Sequence, residues 1–196
     1  MTSRVLGIDP GTRVAGWGVV AGRDDALAVV ACGVVRAPAD EPIERRLVAI
    51  FEGVAAVLRE HAVDLVAVEE AYAGKNVRSA IRLGEGRGVA ILAAALAGRE
   101  VVELSPASIK KSVAGHGAAT KEQVRDALAA LLPGSREAAR GLPADASDAL
   151  ALAVAALARA SSPFRQSTPR RRAGSRWTTA DLARLSQKIV EDGHDG

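Results

Sequence analysis

The sequence predicts an α/β fold in which a mixed five-stranded sheet is flanked by helices. Two observations carry this prediction. Three Val-rich runs follow one another at the start of the chain with short connections, and later apolar strands alternate with helical periods. Short connections favour antiparallel neighbours, whereas helical crossovers join parallel strands, so one sheet contains both kinds of pairing. The 196 residues, 48% hydrophobic and 25% charged, are typical of one globular domain.

The first three strands are expected at Val5–Asp9, Val14–Val20 and Ala26–Val35. All three are rich in Val, which favours strands. A Pro-Gly pair separates the first two strands, and a Gly-Arg-Asp-Asp break separates the second from the third. Both breaks are turn-forming combinations, so this part of the chain predicts an antiparallel meander.

A helix and a buried strand follow the meander. Apolar residues recur at three- and four-residue spacing over roughly Glu41–His61, for example at Leu47, Ile50 and Val54, which indicates an amphipathic helix. The next segment, Leu65–Val68, is apolar without alternation. Such a run is typical of a strand that is buried on both faces of a sheet.

The rest of the body contains four helical stretches and one more strand. Helical periods cover Val77–Leu96, Pro106–Val113, Lys121–Leu132 and Ala144–Ala158, and the strand lies at Val101–Leu104. Strands that alternate with helices in this way form parallel crossover units, so these helices are expected to cover the sheet.

The chain divides into a near-neutral body, residues 1–158, and a basic tail, residues 159–196. The tail carries eight Arg and Lys against four Asp and Glu, and its Ser-, Pro- and Arg-rich sequence is typical of a flexible segment. No stretch supplies the roughly 20 apolar residues of a membrane span, and the first residues do not resemble a signal peptide. A cytoplasmic protein without membrane partners is expected. The single cysteine, Cys32, excludes an intrachain disulfide and a cysteine-based zinc site.

Five carboxylates stand where apolar elements end or begin. Asp9 ends the first strand, Glu69 and Glu70 follow the apolar fourth strand, and Asp145 and Asp148 open the last helix. Consecutive strand residues point to opposite faces, so only one of the two Glu residues can join the first Asp. The two helical Asp residues are one turn apart and share a face.

Each of these carboxylates taken alone has a structural explanation. Asp9 is compatible with a turn, Asp145 with a helix N-cap, and strand-end Glu residues with solvation. Gathered together, like charges about 4 Å apart repel by roughly 1–4 kcal/mol, and a divalent cation removes that cost. Oxygen-only clusters suit Mg²⁺ or Mn²⁺. Two such ions about 4 Å apart activate water and stabilise the leaving oxygen of a phosphodiester.

Three ordered segments resemble the RuvC family of crossover junction endodeoxyribonucleases. They are GIDPGTRVAGWGVV, VAVEEAYAGKNVRSAIRLGEGRGVAI and LPADASDALALA, and the resemblance covers about residues 3–158. It implies a ribonuclease H-like fold and a bacterial, Mg²⁺-dependent homodimer with two ions per active site, in which Mn²⁺ substitutes. It also implies resolution of four-way Holliday junctions by paired symmetric nicks during recombination and repair, alongside the RuvA and RuvB branch-migration proteins.

The resemblance implies that Asp9, Glu69, Asp145 and Asp148 are the catalytic, metal-binding carboxylates. The first acid of the Val-Glu-Glu sequence fills the family's catalytic position. Glu70 stands where many relatives have Gln, so it is not included in the site.

The same matching implies a set of DNA contacts. Tyr72 occupies a position where an aromatic side chain stacks on a base near the junction, and stacking of this kind is worth about 1–3 kcal/mol. Lys75 and Asn76 match a family Lys-Asn pair after the catalytic strand. Lys110 and Lys121 match family lysines near the scissile phosphate.

The helix at Val77–Leu96 carries a basic edge. Arg78 and Arg82 continue the spacing of Lys75, and with Arg87 and against one Glu the segment 75–87 has a net charge of +3. Such an edge can follow phosphates, although a solvated helix face is an equal alternative without the motif. The same helix contains three glycines, at positions 84, 86 and 88. They indicate close approach of another backbone, either a dimer partner, DNA or a tight crossing within the chain.

Three other functions compete with this interpretation. Asp9-Pro-Gly-Thr also resembles the first phosphate motif of actin-like ATPases and sugar kinases, but the chain offers no second Asp-x-Gly-Thr motif. A non-resolvase ribonuclease H-like relative is the second alternative. A pure DNA-binding module is the third, and the carboxylates argue against it because they repel phosphate unless a metal is bound.

Overall fold

The computed structural model describes residues 3–23, 26–70, 77–132 and 142–161, which belong to one compact unit, Met1–Ser162. Tyr72, Lys75, Asn76 and nearly all of the basic tail lie outside the described residues. The elements in chain order are β1 (Ser3–Asp9), β2 (Val14–Arg23), β3 (Ala26–Arg36), α1 (Ile43–Glu60), β4 (Leu65–Glu69), α2 (Val77–Leu96), β5 (Glu100–Leu104), α3 (Pro106–Ala114), α4 (Lys121–Leu131) and α5 (Ala144–Ser161).

The five strands form one mixed sheet in the order β3-β2-β1-β4-β5. The pairs β1–β2 and β2–β3 are antiparallel, whereas β1–β4 and β4–β5 are parallel. The predicted meander and parallel crossovers are therefore confirmed. Strands β2 and β3 are longer than expected, since β2 extends to Arg23 and β3 to Arg36. The additional pairs run from Ala21–Ala28 to Arg23–Ala26 next to the turn, and Val14 pairs with Arg36 at the opposite end.

The sheet separates two hydrophobic cores. On one face, α3, α4 and α5 pack against Val5 and Ala67. On the other face, α1 and α2 pack against Leu6, Ile8 and Val66. This division follows the alternation of side chains along each strand, in which residues two apart share a face. Burial of both faces explains why β4 is apolar without alternation.

The helix starts are set by local signals. Helix α1 begins at Ile43, two residues later than the expected Glu41, and Pro42 is its N-cap residue. Thr120 and Gln123 form a capping box at the start of α4, in which each side chain accepts a hydrogen bond from the other residue's amide. No helix within the described ranges combines the length and apolar character that a membrane crossing requires.

Candidate active site

Two strand ends bring Asp9 and Glu69 to the same edge and face of the sheet. The parallel register pairs Ile8 of β1 with Val68 of β4, so the next residue of each strand is an acid. Ala67 packs on the α5 face, and Glu69, two residues later, projects from that face as well. Alternation thus selects Glu69 over its neighbour as the partner of Asp9.

Helix α5 adds its two carboxylates because glycines let it approach the sheet. A Cβ at Gly7 of β1 would lie 1.9 Å from the carbonyl oxygen of Ala149, so no side chain fits there. Gly16 pairs with Asp9 across β1 and β2, and a Cβ at Gly16 would lie 2.0 Å from the carbonyl oxygen of Asp145. This glycine groove was not predicted, although its signal, glycines within Val-rich strands, is present in the sequence.

The site is a cleft of about 120 Å³ between the strand ends and the three helices of this face. Its charged lining is formed by two acids of the strands, one acid of α5 and two lysines, and its wall is apolar. The helix-borne Asp145 stands beside the backbone of β2 and acts on the cleft through its charge. The lining residues are Asp9, Glu69, Pro106, Ile109, Lys110, Lys121, Val124, Asp148, Ala151 and Leu152.

Negative charge is concentrated around Asp9. Burial, followed by the charges of Asp148, Asp145 and Glu69, raises the pKa of Asp9 to about 7. Lys121 acts in the opposite direction without cancelling these effects. Burial and Asp148 also raise the pKa of Glu69 above its ordinary value. Asp9 thus interacts with the three other carboxylates, and the protein's own cations do not offset the combined effects of burial and repulsion on Asp9 and Glu69.

The two lysines of the cleft reduce this repulsion. Lys121 Nζ donates a hydrogen bond to Asp148 Oδ2 over 3.1 Å, and this bond and the charge of Asp148 raise the pKa of the lysine. Lys110 opposes the pKa rise of Glu69. Both lysines were predicted near the scissile phosphate, and both line the cleft.

The donor set of the cleft suits a hard divalent cation. All candidate ligands are carboxylate oxygens, which Mg²⁺ and Mn²⁺ prefer. Over the described ranges, no three acidic, His or Cys side chains stand close enough to form a ready-made ligand shell. The carboxylates therefore interact through their charges without forming a ligand shell, and Asp148 forms an ion pair with Lys121.

The predicted basic edge of α2 is divided in the structure. Arg78 and Arg82 are exposed, and Arg82 pairs with Glu85 over 3.0 Å. Arg87 points instead toward the sheet, where it bonds the main chain of Glu69 and pairs with Glu103. Arg87 contributes to the net charge of the segment but does not lie on its exposed edge, because it is bonded on the inner side of the helix.

The glycines of α2 also divide between its two faces. A Cβ at Gly86 would lie 2.8 Å from the carbonyl carbon of Gly11, so this glycine permits a tight crossing within the chain. A Cβ at Gly84 or Gly88 would meet no atom of the described residues within 4 Å. The tight crossing within the chain is thus present at Gly86, and contact of the other two glycines with a partner or with DNA stays a prediction.

Comparisons with known proteins agree with the geometry. The family model described as crossover junction endodeoxyribonuclease RuvC matches residues 5–156. The chain belongs to the RuvC family. The crossover junction endodeoxyribonuclease RuvC of Bradyrhizobium diazoefficiens is 44% identical over 151 residues, 77% of this chain and 84% of that protein. That of Maricaulis maris is 44% identical over 154 residues, 79% of this chain and 90% of that protein.

A solved RuvC structure supports the same assignment. T. thermophilus RuvC in complex with a Holliday junction substrate is 34% identical, with a TM-score of 0.74, and the match covers 81% of this chain and 94% of that one. The fold is therefore ribonuclease H-like, as the resemblance implied, and the RuvC family is a family of metal-dependent DNA endonucleases. The ATPase interpretation of the Asp-Pro-Gly-Thr sequence is not favoured.

Proposed function

We propose that this RuvC family member resolves four-way Holliday junctions by making paired symmetric nicks during DNA recombination and repair. The observation that carries the proposal is the set of four interacting carboxylates at the ends of β1 and β4 and the start of α5. Clusters of this kind repel the phosphates of DNA unless a cation is bound, so they argue for catalysis rather than for DNA binding alone.

Asp9, Glu69, Asp145 and Asp148 are the proposed catalytic and metal-binding residues. They would hold two Mg²⁺ ions, for which Mn²⁺ substitutes. When bound, such ions activate water and stabilise the leaving oxygen of a phosphodiester. The chain itself gathers the oxygen ligands and excludes water along the apolar wall of the cleft.

Cations of the chain orient the DNA. Lys110 and Lys121 line the cleft and are the proposed contacts of the scissile phosphate. Arg78 and Arg82 are exposed on α2 and are proposed to follow the DNA backbone, where each contact contributes a salt-dependent share of affinity. Tyr72, Lys75 and Asn76, outside the described residues, remain proposed contacts near the crossover.

Glu69→Gln and Glu70→Gln form a matched pair that tests the site. Loss of the Glu69 charge weakens cation binding but leaves the DNA contacts, so junction cleavage is lost and junction affinity is kept or increased. Glu70→Gln changes the same chemistry one residue away and retains activity. Nicking of a synthetic four-way junction, with Mg²⁺ and with a chelator, measures the cleavage activity of both variants. A Glu69→Gln protein that cleaves at the wild-type rate contradicts the site assignment.

The enzyme is proposed to act as a homodimer, because two symmetric cuts suit a two-fold assembly. Helix α2 carries the surface that we propose as the dimer interface. Val77, Ile81, Leu92 and Leu96 recur at spacings that place them on one side together with the two open glycines, and they are 71%, 58%, 51% and 46% exposed. A second copy of α2 would cover this apolar face. The RuvA and RuvB proteins are proposed further partners, and the bacterial cytoplasm is the proposed location.

The body, residues 1–158, is proposed to be the nuclease domain, and residues 159–196 a basic C-terminal tail whose first three residues continue α5. The tail holds the basic excess and none of the matched motifs. Deletion of residues 162–196 should therefore preserve folding and nicking and weaken DNA binding moderately, in a salt-dependent way. Thermal unfolding and junction binding at two salt concentrations measure this. A folded truncation without nicking activity at low salt would place the tail in the catalytic unit.

A further inference from the structure

Arg87 reaches two elements of the sheet from the inner side of α2. Its Nε donates a hydrogen bond to the main-chain carbonyl of Glu69 over 3.1 Å, and a terminal guanidinium nitrogen pairs with the carboxylate of Glu103 on β5. The Arg87 side chain is only 16% exposed. Its charge is therefore engaged within the protein rather than available to a DNA phosphate.

The carbonyl that Arg87 binds lies past the end of a strand ladder. Pairing between β1 and β4 ends at Ile8 and Val68, one residue before Glu69. On the other side of β4, the amide of Glu70 donates to the carbonyl of Leu104 over 2.9 Å. Arg87 thus supplies a donor at the position where β1 no longer does, and buried carbonyls require such a partner.

A cavity of about 280 Å³ lies beside this strand end. It gives the backbone after β4 room to move if the bond to Arg87 is removed. The preceding helix residue, Gly86, contacts the backbone of Gly11, two residues after Asp9. Consecutive residues of α2 therefore touch the chain close to both strand-borne carboxylates. The cavity is lined by Pro10, Glu69, Glu70, Leu83, Arg87 and Pro106.

We propose that Arg87 is a positioning residue for catalysis, which fixes the end of β4 and thereby the direction of the Glu69 carboxylate. This inference rests on the proposed catalytic role of Glu69. Arg87 acts from the α2 side of the sheet, whereas Glu69 projects into the cleft on the α5 side, so Arg87 orients the acid without entering the cleft. Small misplacements of a reacting group have large effects on rate, because the geometry of attack is narrow.

Arginine suits this position better than lysine. The planar guanidinium presents several donors in fixed directions and binds a carbonyl and a carboxylate at once. A lysine ammonium on its flexible stem can satisfy one of the two acceptors well, but it cannot hold both in one rigid geometry. The expected order of activity is therefore wild type, Arg87→Lys, then Arg87→Ala.

The test compares Arg87→Ala and Arg87→Lys with Arg59→Ala, which removes an exposed charge at the end of α1. We expect Arg87→Ala to lower the single-turnover cleavage rate at saturating junction and Mg²⁺ between about tenfold and a hundredfold. Junction affinity, measured in chelator, stays within about twofold of wild type because the remote binding contacts are kept. In metal-free Arg87→Ala, we expect the Glu70 amide to exchange its hydrogen faster than in the metal-free wild type. Arg87→Lys gives an intermediate rate, and Arg59→Ala matches wild type.

Other outcomes overturn the inference. A wild-type cleavage rate for Arg87→Ala, unchanged exchange at Glu70, or weaker junction binding with an unchanged rate would each exclude a positioning role. If Arg87→Ala does not fold, Arg87→Lys and Glu103→Gln decide, and wild-type rates from both reject the proposal. Failure of the proposed site itself is recognised separately, since a cleaving Glu69→Gln protein refutes it whatever Arg87 does.

Discussion

Helices α2 and α5 are similar in length and both rich in Ala, yet they meet their surroundings in opposite ways. Residues Ala149–Leu157 of α5 form an unbroken buried run against the sheet and its neighbours. Helix α2 buries Gly86, Ala90, Ala93 and Ala94 and leaves larger apolar side chains exposed. An Ala-rich helix therefore does not by itself reveal whether its own chain covers it.

The difference shows where each helix finds its packing partner. The glycines of β1 and β2 shape a groove that accepts α5, so its apolar surface is covered within the chain. A Cβ on the outward-facing glycines of α2 would meet no atom within 4 Å in the part of the chain that the structure describes, and the apolar residues beside them are exposed there. Exposed apolar stripes of this kind mark protein interaction surfaces. Helix α5 contributes to the proposed active site, and α2 offers the face proposed for a second copy.

The largest effect should follow from closing the groove beneath α5. In Gly7→Ala, the new Cβ collides with the backbone of Ala149 and forces the helix away from β1. Overpacking against backbone should destabilise the protein by about 3 kcal/mol or more. Gly84→Ala is the control, because its Cβ would meet no atom of the described residues within 4 Å. Chemical denaturation measures both variants, and equal stabilities would contradict the tight contact.

The dimer face can be tested by placing a charge on α2. Leu92→Asp puts a carboxylate into the proposed interface. Val48→Asp is the matched control on α1, outside that interface, and the two replaced residues are similarly exposed, 52% for Val48 and 51% for Leu92. We expect Leu92→Asp to weaken dimerisation at least about tenfold, since burying an unpaired charge is costly. Its thermal stability as a monomer is kept.

Sedimentation velocity over a concentration series decides between the two faces. Val48→Asp should remain dimeric, and its two cuts on one junction should stay coupled. Dimers that persist equally in both variants would place the interface elsewhere on the chain.

A smaller effect concerns the buried carboxylate of Asp9 and its acidic neighbours. The pKa of Asp9 is raised from 3.8 to about 7 in the folded protein, so folding becomes less favourable as pH rises from about 4 to 7 and the unfolded chain loses its proton first. Asp9→Asn removes this cost. In the metal-free protein, the substitution should raise Tm at pH 8 by several degrees, because each kcal/mol gained in the free energy of unfolding raises Tm by about 2–4 °C.

The pH dependence provides the check on this prediction. At pH 4 the Asp9 carboxyl is largely protonated in the folded protein and close to its ordinary pKa in the unfolded chain, so the variant should gain little. Thermal melts in chelator at both pH values measure the difference. A gain of the same size at pH 4 and pH 8 would mean that charge repulsion at Asp9 is not its cause.

Most of the fold follows from local signals in the sequence. The bounds of α2 match the expected Val77–Leu96, and the mixed sheet follows from three Val-rich runs and later crossovers. Contacts that depend on side-chain direction in three dimensions were harder to predict. The inward turn of Arg87 and the separate roles of Gly84 and Gly86 depend on which face of α2 meets the sheet. Sequence spacing defines faces but does not say which one is covered.

The capping box at Thr120 determines more than the stability of α4. Lys121 is the first residue of that helix, and its ammonium holds Asp148 across the cleft. If the helix began one residue later, Lys121 would lie outside it and its side chain would no longer be held in the direction that reaches the acid. The charge balance of the cleft is thus linked to where a helix begins, through a threonine hydroxyl and a glutamine amide that carry no charge themselves.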